Sequence, residues 1–382
     1  MNNKELQIDE ILKNIAEEIS ITPSMAKQAI SSYEAVGKWF DGLPYDVIFA
    51  PQGSMNLGTT IKPVSDQNDY DIDAICLLKD GQSLLPESIK NIVGNRLKEN
   101  KMYVEKLEEG KRCWKIQHKN FHMDILPCVP RINYSEPDQT EIRLTHKINS
   151  YQFQNRYSNP YGYHKWFVSR MLNAFNEAKK MYSIRNQVKI EEVPEYVIKT
   201  PLQIVIQLLK RHRDIMFKDD KDDLAPISII ITTLAAEAYQ GENSVYEALR
   251  QILLSMPNYI QQSGGIYYIA NPVMPLENFA DKWKEHPERK AAFYKWLERA
   301  RLDLYENPLN FEGLDNICEA YSKVMGKAPV LRAFNKMGEK TTKAREAGNL
   351  FIGSIGTGLT TVSGAGITQV KDHTFYGKID ET

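Results

Sequence analysis

A chain of 382 residues with 42% hydrophobic and 25% charged residues is longer than one core usually spans, so two lobes are the prior expectation. Its formal net charge of −1 gives no global pull toward nucleic acid or a membrane surface. The cysteines Cys76, Cys113, Cys128 and Cys318 form no Cys-x-x-Cys pair, which argues against a disulfide framework or a structural zinc site. With no signal peptide and no apolar run of about 18 residues, a cytoplasmic protein is expected.

In chain order, residues 4–19 and 23–40 read as helices, the second with Thr22 as N-cap and Pro23 at its first position. A short strand at 47–50 leads into a Gly-Ser turn, and the apolar run 72–78 reads as a buried strand. A helix at 87–99 follows, then strand-like runs at 102–107, 113–118 and 121–129. Together these predict a small mixed sheet whose consecutive strands pair as hairpins.

From about residue 158 the pattern changes to long amphipathic helices. They are predicted at 166–178, 202–217, after Pro226, and at 244–255, 276–285, 291–305, 308–325 and 329–346. The expected class is α+β, with the sheet in 1–157, an all-helical lobe in 158–346 and a mobile Gly/Ser/Thr-rich tail in 347–382. The tail's glycines precede no Lys-Ser/Thr, which rejects a Walker-type loop. Within the tail, His373-Thr374-Phe375-Tyr376-Gly377 reads as a short docking peptide.

The chemistry concentrates in residues 51–78. Asp71 and Asp73 alternate with apolar residues at the mouth of a strand, so both project to one face, where two unpaired carboxylates repel each other. A divalent cation removes that cost, and oxygen-only ligands favour Mg²⁺ or Mn²⁺. Asp124, flanked by Met123, Ile125 and Leu126 on a later strand, is the natural third ligand; the alternative is a strand-edge aspartate facing water. His122 shares its face and reads as a packed strand residue. Gly53-Ser54 supplies backbone N–H groups and a hydroxyl for a triphosphate. Lys210, Arg211 and Arg213 form a basic cluster on one helix, either a solvated face or a source of cations for the triphosphate, with Lys210 preferred. Pro226 opens a further helix with Ser228 in its first turn, either a further phosphate contact or a plain first-turn serine. Tyr157, Tyr161 and Tyr163 are candidates for base stacking or for structural roles.

Gly53-Ser54, Asp71-x-Asp73 and Asp124 resemble the polymerase-β-type nucleotidyltransferase pattern. More specifically, QGSMNLGT, YDIDAICLL, MDILPCVP, SNPYGYHKWF, KTPLQIVIQLLKRHRD, PISIIITTLAA and NPVMPLENFADKW resemble the bacterial CD-NTases, the cGAS/DncV-like nucleotidyltransferases. The likeness runs from about residue 45 to residue 285. It implies a polymerase-β-like nucleotidyltransferase core with a C-terminal helical lobe. It implies an enzyme that joins ATP, GTP or other nucleoside triphosphates into a cyclic di- or trinucleotide for anti-phage defence.

By the same resemblance, Asp71 and Asp73 would hold two Mg²⁺ ions and Asp124 would complete the catalytic one. Gln52, Gly53, Ser54, Lys210 and Ser228 would bind nucleotide. The absence of a cysteine-rich zinc insertion implies no requirement for double-stranded DNA, and the tail is the expected docking place for a regulatory protein. The ending Asp380-Glu381-Thr382 departs from members that finish in a conjugated glycine. Alternatives are a linear transferase acting on RNA or protein, and a non-catalytic nucleotide sensor.

Overall fold

The structure, a computed structural model, describes residues 1–65, 69–119, 121–131, 140–193 and 198–349, with the backbone of 351–353, 359–360 and 367–370. It opens with α1 (Asn3–Ile19) and α2 (Pro23–Phe40). Thr22 caps α2 by accepting from the Met25 amide, as its place before Pro23 predicts. Two compact units are present: 19–301, and 1–18 together with 302–382. The strands and helices on either side of residue 157 therefore lie within one unit.

The larger unit is built on a seven-stranded sheet. Its strands are β1 (Val47–Gln52), β2 (Tyr70–Leu78), β3 (Leu107–Glu109), β4 (Trp114–Gln117), β5 (Phe121–Pro130), β6 (Ile142–Asn149) and β7 (Gln152–Ser158). The order is β1-β2-β5-β4-β3, and β6 joins β5 beyond the end of β4 and carries β7. Only the β2–β5 pair is parallel. A helix, α3 (Gly53–Asn56), follows β1, while α4 (Pro86–Lys98) and α5 (Lys101–Val104) lie between β2 and β3.

Strand alternation sorts the β2 sequence cleanly. Ile72, Cys76 and Leu78 pack with Val36 and Phe40 of α2, Ile89, Val93 and Leu97 of α4, and Trp114, Ile116, Met123 and Ile125 of the sheet. The opposite face carries Ile75 and Leu77 in a smaller cluster with Cys128, Ile142 and Leu144, and Asp71 and Asp73 continue that face. One side of the sheet is core; the other is apolar at one end and acidic at the other.

Helices α6 (Pro160–Asn186), α7 (Pro201–Met216), α8 (Ser228–Ala238), α9 (Val245–Ser255) and α10 (Pro287–Arg301) complete this unit. Helix α7 starts with a capping box between Thr200 and Gln203. Gln203, Gln207, Lys210 and Arg211 recur at helical spacing and share a face. They donate in turn to the carbonyls of Leu57 (3.0 Å), Thr60 (2.7 Å), Thr59 (3.1 Å) and Lys62 (2.7 Å). The irregular segment after α3 is thereby fastened to a helix, its carbonyls satisfied by side chains in place of a strand partner.

The structure corrects several expected elements. The run 102–107 begins as helix α5, because the Asn100 side chain accepts from the Met102 amide and caps it. The β6–β7 hairpin was not foreseen. The second half is not all helix, since β8 (Gln261–Ser263) pairs with β9 (Ile266–Tyr268) and β10 (Ala270–Asn271) with β11 (Met274–Asn278). The helix expected at 276–285 is displaced by β11 because Asn278 accepts from the Ile269 and Ala280 amides and donates to the Tyr267 carbonyl.

In the smaller unit, the α1 stripe of Ile8, Ile11, Leu12 and Ile15 is buried, as are Ile317, Tyr321 and Met325 of α12 (Leu314–Met325) and Val330 and Ala333 of α13 (Lys327–Glu346). The short α11 (Asn307–Asn310) precedes them; in full chain order α11 comes before α12. Arg332 and Lys336 pair with Glu18 and Glu17 at 2.9 and 2.5 Å. Short strands at Phe351–Gly353, Leu359–Thr360 and Ile367–Gln369 pair antiparallel, a departure from the featureless tail expected there. The docking peptide at 373–377 lies outside the described residues. Among the described residues no helix is long and apolar enough to cross a membrane.

Gln207 is fully buried; besides donating to Thr60 it accepts from Lys199 at 3.1 Å and Ser20 at 3.3 Å. Gln207→Leu should therefore cost about 2–3 kcal/mol by removing the donor to a buried carbonyl. Chemical denaturation at 25 °C measures this, and a loss below half a kilocalorie, roughly the scatter of surface substitutions, would show that α7 does not hold the segment.

Candidate active site

The parallel register of β2 and β5 sets Asp73 opposite Asp124 and Asp71 opposite His122. Cross-strand partners share a face, so the sheet itself assembles the three carboxylates named from sequence. Asp73 feels this most. Burial, then the charges of Asp124 and Asp71, push its carboxyl up to about 7. Burial also raises Asp124, against the opposing pull of Lys115 and His122. Asp71 sits at the rim, where the His122 hydrogen bond and the nearby cations outweigh a desolvation cost and hold its carboxyl low. His122 Nε2 lies 2.7 Å from Asp71 Oδ1. The Asp71 partner raises the imidazole above its usual range.

Asp124 has an unfinished environment. Its Oδ1 is buried with no hydrogen-bond partner, and the Lys115 ammonium stands 3.8 Å away. A hard cation would satisfy such an oxygen and relieve the repulsion on Asp73, so the donor set fits Mg²⁺ or Mn²⁺. As the side chains stand, no three His, Cys, Asp or Glu groups among the described residues converge closely enough to hold a metal. Asp71 Oδ1 is engaged by His122 in this arrangement.

Gly53 opens α3 with φ of +66°, and a Cβ there would lie 2.0 Å from Asp73 Oδ2. Only glycine lets the turn pass this close to the carboxylate. Gln52 ends β1 in register with Asp73. Ser54 follows in the first turn of α3, its hydroxyl 3.0 Å from that of Thr60 and its carbonyl accepting from the Thr59 amide at 2.9 Å. The Gly-Ser turn and the acidic strand are thus neighbours in one small region.

From the helical elements, Lys210 reaches the same region. It is only 6% exposed and donates to the Thr59 carbonyl. Burial, then Arg213, lowers its ammonium to about 8, while Asp214, Asp73 and Asp71 resist that fall. The reading of Lys210 and Arg211 as a solvated face is therefore corrected: both are buried, and their charges meet backbone carbonyls. Arg213 donates to Ser228 Oγ (3.2 Å), the Pro226 carbonyl (2.5 Å) and Asp214 (2.5 Å). Ser228 is the first residue of α8, as expected from Pro226, and its hydroxyl is occupied by that guanidinium.

Tyr163 is buried with its hydroxyl 2.8 Å from that of Thr233, a packing role and not a stacking one. Tyr157 and Tyr161 lie under Arg131 and Lys165. Sequence reading missed the engagement of His122 with Asp71 and the approach of Lys115 to Asp124. The period-two spacing of His122 and Asp124 signals the first; the second depends on a hairpin register that sequence does not fix.

A family model described as the nucleotidyltransferase domain of DncV-like cyclic GMP-AMP synthases matches residues 47–128, the span from β1 into β5. A c-di-GMP synthase of Roseivirga ehrenbergii is 29% identical across 98% of this chain and 99% of its own length. The cyclic dinucleotide synthase CdnG of Bradyrhizobium diazoefficiens is 23% identical, covering 97% and 95%. The solved structure of the Bradyrhizobium diazoefficiens CD-NTase CdnG in complex with GTP shares the fold at a TM-score of 0.69, with 22% identity over 87% of this chain and 99% of that one. Over residues 47–128 the chain thus matches a DncV-like nucleotidyltransferase domain, and along nearly its whole length it is similar to bacterial cyclic dinucleotide synthases.

Proposed function

We propose that this chain joins nucleoside triphosphates into a cyclic di- or trinucleotide, releasing pyrophosphate, as a second messenger in anti-phage defence. The observation that carries the reading is the register that sets Asp73 against Asp124, beside Gly53 and in line with Asp71. Likeness to a c-di-GMP synthase over nearly the whole length supports a cyclic product and makes GTP the first substrate to try. Asp71, Asp73 and Asp124 would hold two Mg²⁺ ions, replaceable by Mn²⁺, which when bound supply charge neutralisation and a more acidic ribose hydroxyl.

The chain's own residues do the rest. An acceptor hydroxyl oxygen bonds to the α-phosphorus, the bridge to the β-phosphate breaks, and pyrophosphate leaves with the bonding pair. Asp124, with an uncommitted oxygen and a raised pKa, receives the hydroxyl proton. Amides of the turn at Gly53 and the Ser54 hydroxyl cradle the triphosphate. Lys210 lends it positive charge while fixing the Thr59 carbonyl, and Arg213 holds Ser228 for a further contact. A second transfer on the bound linear intermediate closes the ring.

The test is incubation of purified protein with each labelled triphosphate and Mg²⁺, followed by phosphatase. A resistant product is expected. A product wholly degraded by phosphatase and exonuclease would assign linear transfer, and no product from any triphosphate would favour a nucleotide sensor.

Asp73→Asn is expected to reduce product by at least about a thousandfold while the metal-free protein melts higher than the parent at pH 7.5, because a like charge is gone. An active variant, or one that melts well below the parent, sinks the assignment.

Lys210→Met should reduce kcat/KM for triphosphate by about ten- to a hundredfold. Its stability carries a sign as well. The folded pKa of about 8 lies below the ordinary lysine value of 10.5, so between those values the unfolded chain binds more protons and the parent gains stability as pH rises. Relative to Lys210→Met, the parent should gain about 2 kcal/mol between pH 8 and 10 in urea titrations. A stability difference flat across that window would show that the ammonium is not buried as described.

A further inference from the structure

Lys115 stands on β4 directly opposite Asp124 in the antiparallel β4–β5 register, on the face that carries the carboxylates. Its Nζ lies 3.8 Å from Asp124 Oδ1, near enough to attract and too far to hydrogen-bond. That oxygen is the one buried without a hydrogen-bond partner. The side chain remains 28% exposed, so its flexible stem has room to swing. The two cations that the sheet turns toward its acids differ: His122 is bonded to Asp71 at 2.7 Å, whereas Lys115 only stands beside Asp124.

We propose that Lys115 is a catalytic residue that stands in for a divalent cation beside Asp124 in the ligand-free protein and moves to a non-bridging oxygen of the α-phosphate when substrate and metal bind. The inference rests on the nucleotidyltransferase reading above. Asp124 Oδ1 is an oxygen that would help hold a divalent ion, and the ammonium 3.8 Å from it would then give way. The displaced ammonium is then repelled by the ion, and the new anion beside Asp124 is the phosphoryl group under attack. As the hydroxyl oxygen bonds to the α-phosphorus and the bond to pyrophosphate breaks, negative charge on the equatorial oxygens is met by an ammonium that stays protonated throughout. Lys115 would serve the same purpose in the ring-closing transfer, since both steps present an α-phosphate at Asp124.

The experiment pairs a binding measurement with kinetics. Binding of Mn²⁺ without nucleotide is followed by electron paramagnetic resonance in the parent, Lys115→Met and Lys115→Arg, and kcat and KM are measured with GTP or whichever triphosphate the parent consumes. Removing the competing ammonium should tighten Mn²⁺ binding severalfold in Lys115→Met, while kcat falls about a hundredfold and KM moves within a few fold. Lys115→Arg should retain parent-like Mn²⁺ binding and recover most of kcat. Unchanged or weakened Mn²⁺ binding in Lys115→Met, or an unchanged kcat, overturns the inference. Should Lys115→Met fail to fold, Lys115→Gln replaces it in both measurements. A parent that binds Mn²⁺ but makes no product would defeat the proposed function, and the Mn²⁺ comparison would still decide whether Lys115 competes for Asp124.

Discussion

Asp73 and Asp124 face each other across neighbouring parallel strands, where water screens them poorly. At the ~4.8 Å spacing of adjacent strands and an effective dielectric of about 20, two such charges repel by about 3 kcal/mol. Much of the surrounding structure answers that repulsion. Asp73 takes up protons near neutrality, His122 engages Asp71, and Lys115 and Lys210 bring ammonium groups from a neighbouring strand and from α7. Gly53 keeps the turn close enough that a single extra carbon would strike the Asp73 carboxylate. The proximity that makes the site costly is what makes it able to bind cations and phosphate.

The second constraint is the fastening of the segment after α3. Having left β1, the chain carries Ser54 and then runs through residues with no ladder to satisfy their carbonyls. Four side chains from one face of α7 supply the donors. Lys210 belongs to both sets, holding Thr59 through its hydrogen bond while its charge acts on Asp71 and Asp73. The positions of the Gly-Ser turn and of the cation from the helices are therefore not independent. A change in α7 that loosens the segment also moves a charge away from the acids.

The acidic strand was legible because alternation is a strong local rule: Asp71 and Asp73 on one face, Ile72 and Cys76 on the other, and Asp124 as an isolated charge in an apolar run. The first two helices were legible because Thr22-Pro23 is a capping signal. Short strands were not. The β8 to β11 hairpins have two to five residues per strand, too few for a period to emerge, and depend on side-chain bonds such as those of Asn278. For Lys210 and Arg211 a solvated face stayed open beside a triphosphate role for Lys210, because burial of a cation against carbonyls depends on a partner far away in sequence. The approach of Lys115 to Asp124 needs the β4–β5 register, which turn residues alone do not determine.

The charges of the site are balanced in the ligand-free chain by groups that are also suited to work on the substrate. Under the proposed function, ligand entry would be an exchange of partners: external cations would take the carboxylates, and the protein's own cations would become available to phosphate. An exchange keeps the number of uncompensated buried charges small in both states, which matters where each would shift a pKa or destabilise the fold. It also couples occupancy to stability, since metal and triphosphate bind the folded arrangement and not the open chain. The His122–Asp71 contact is part of that balance, engaging one oxygen of Asp71, Oδ1, at 2.7 Å in the ligand-free chain.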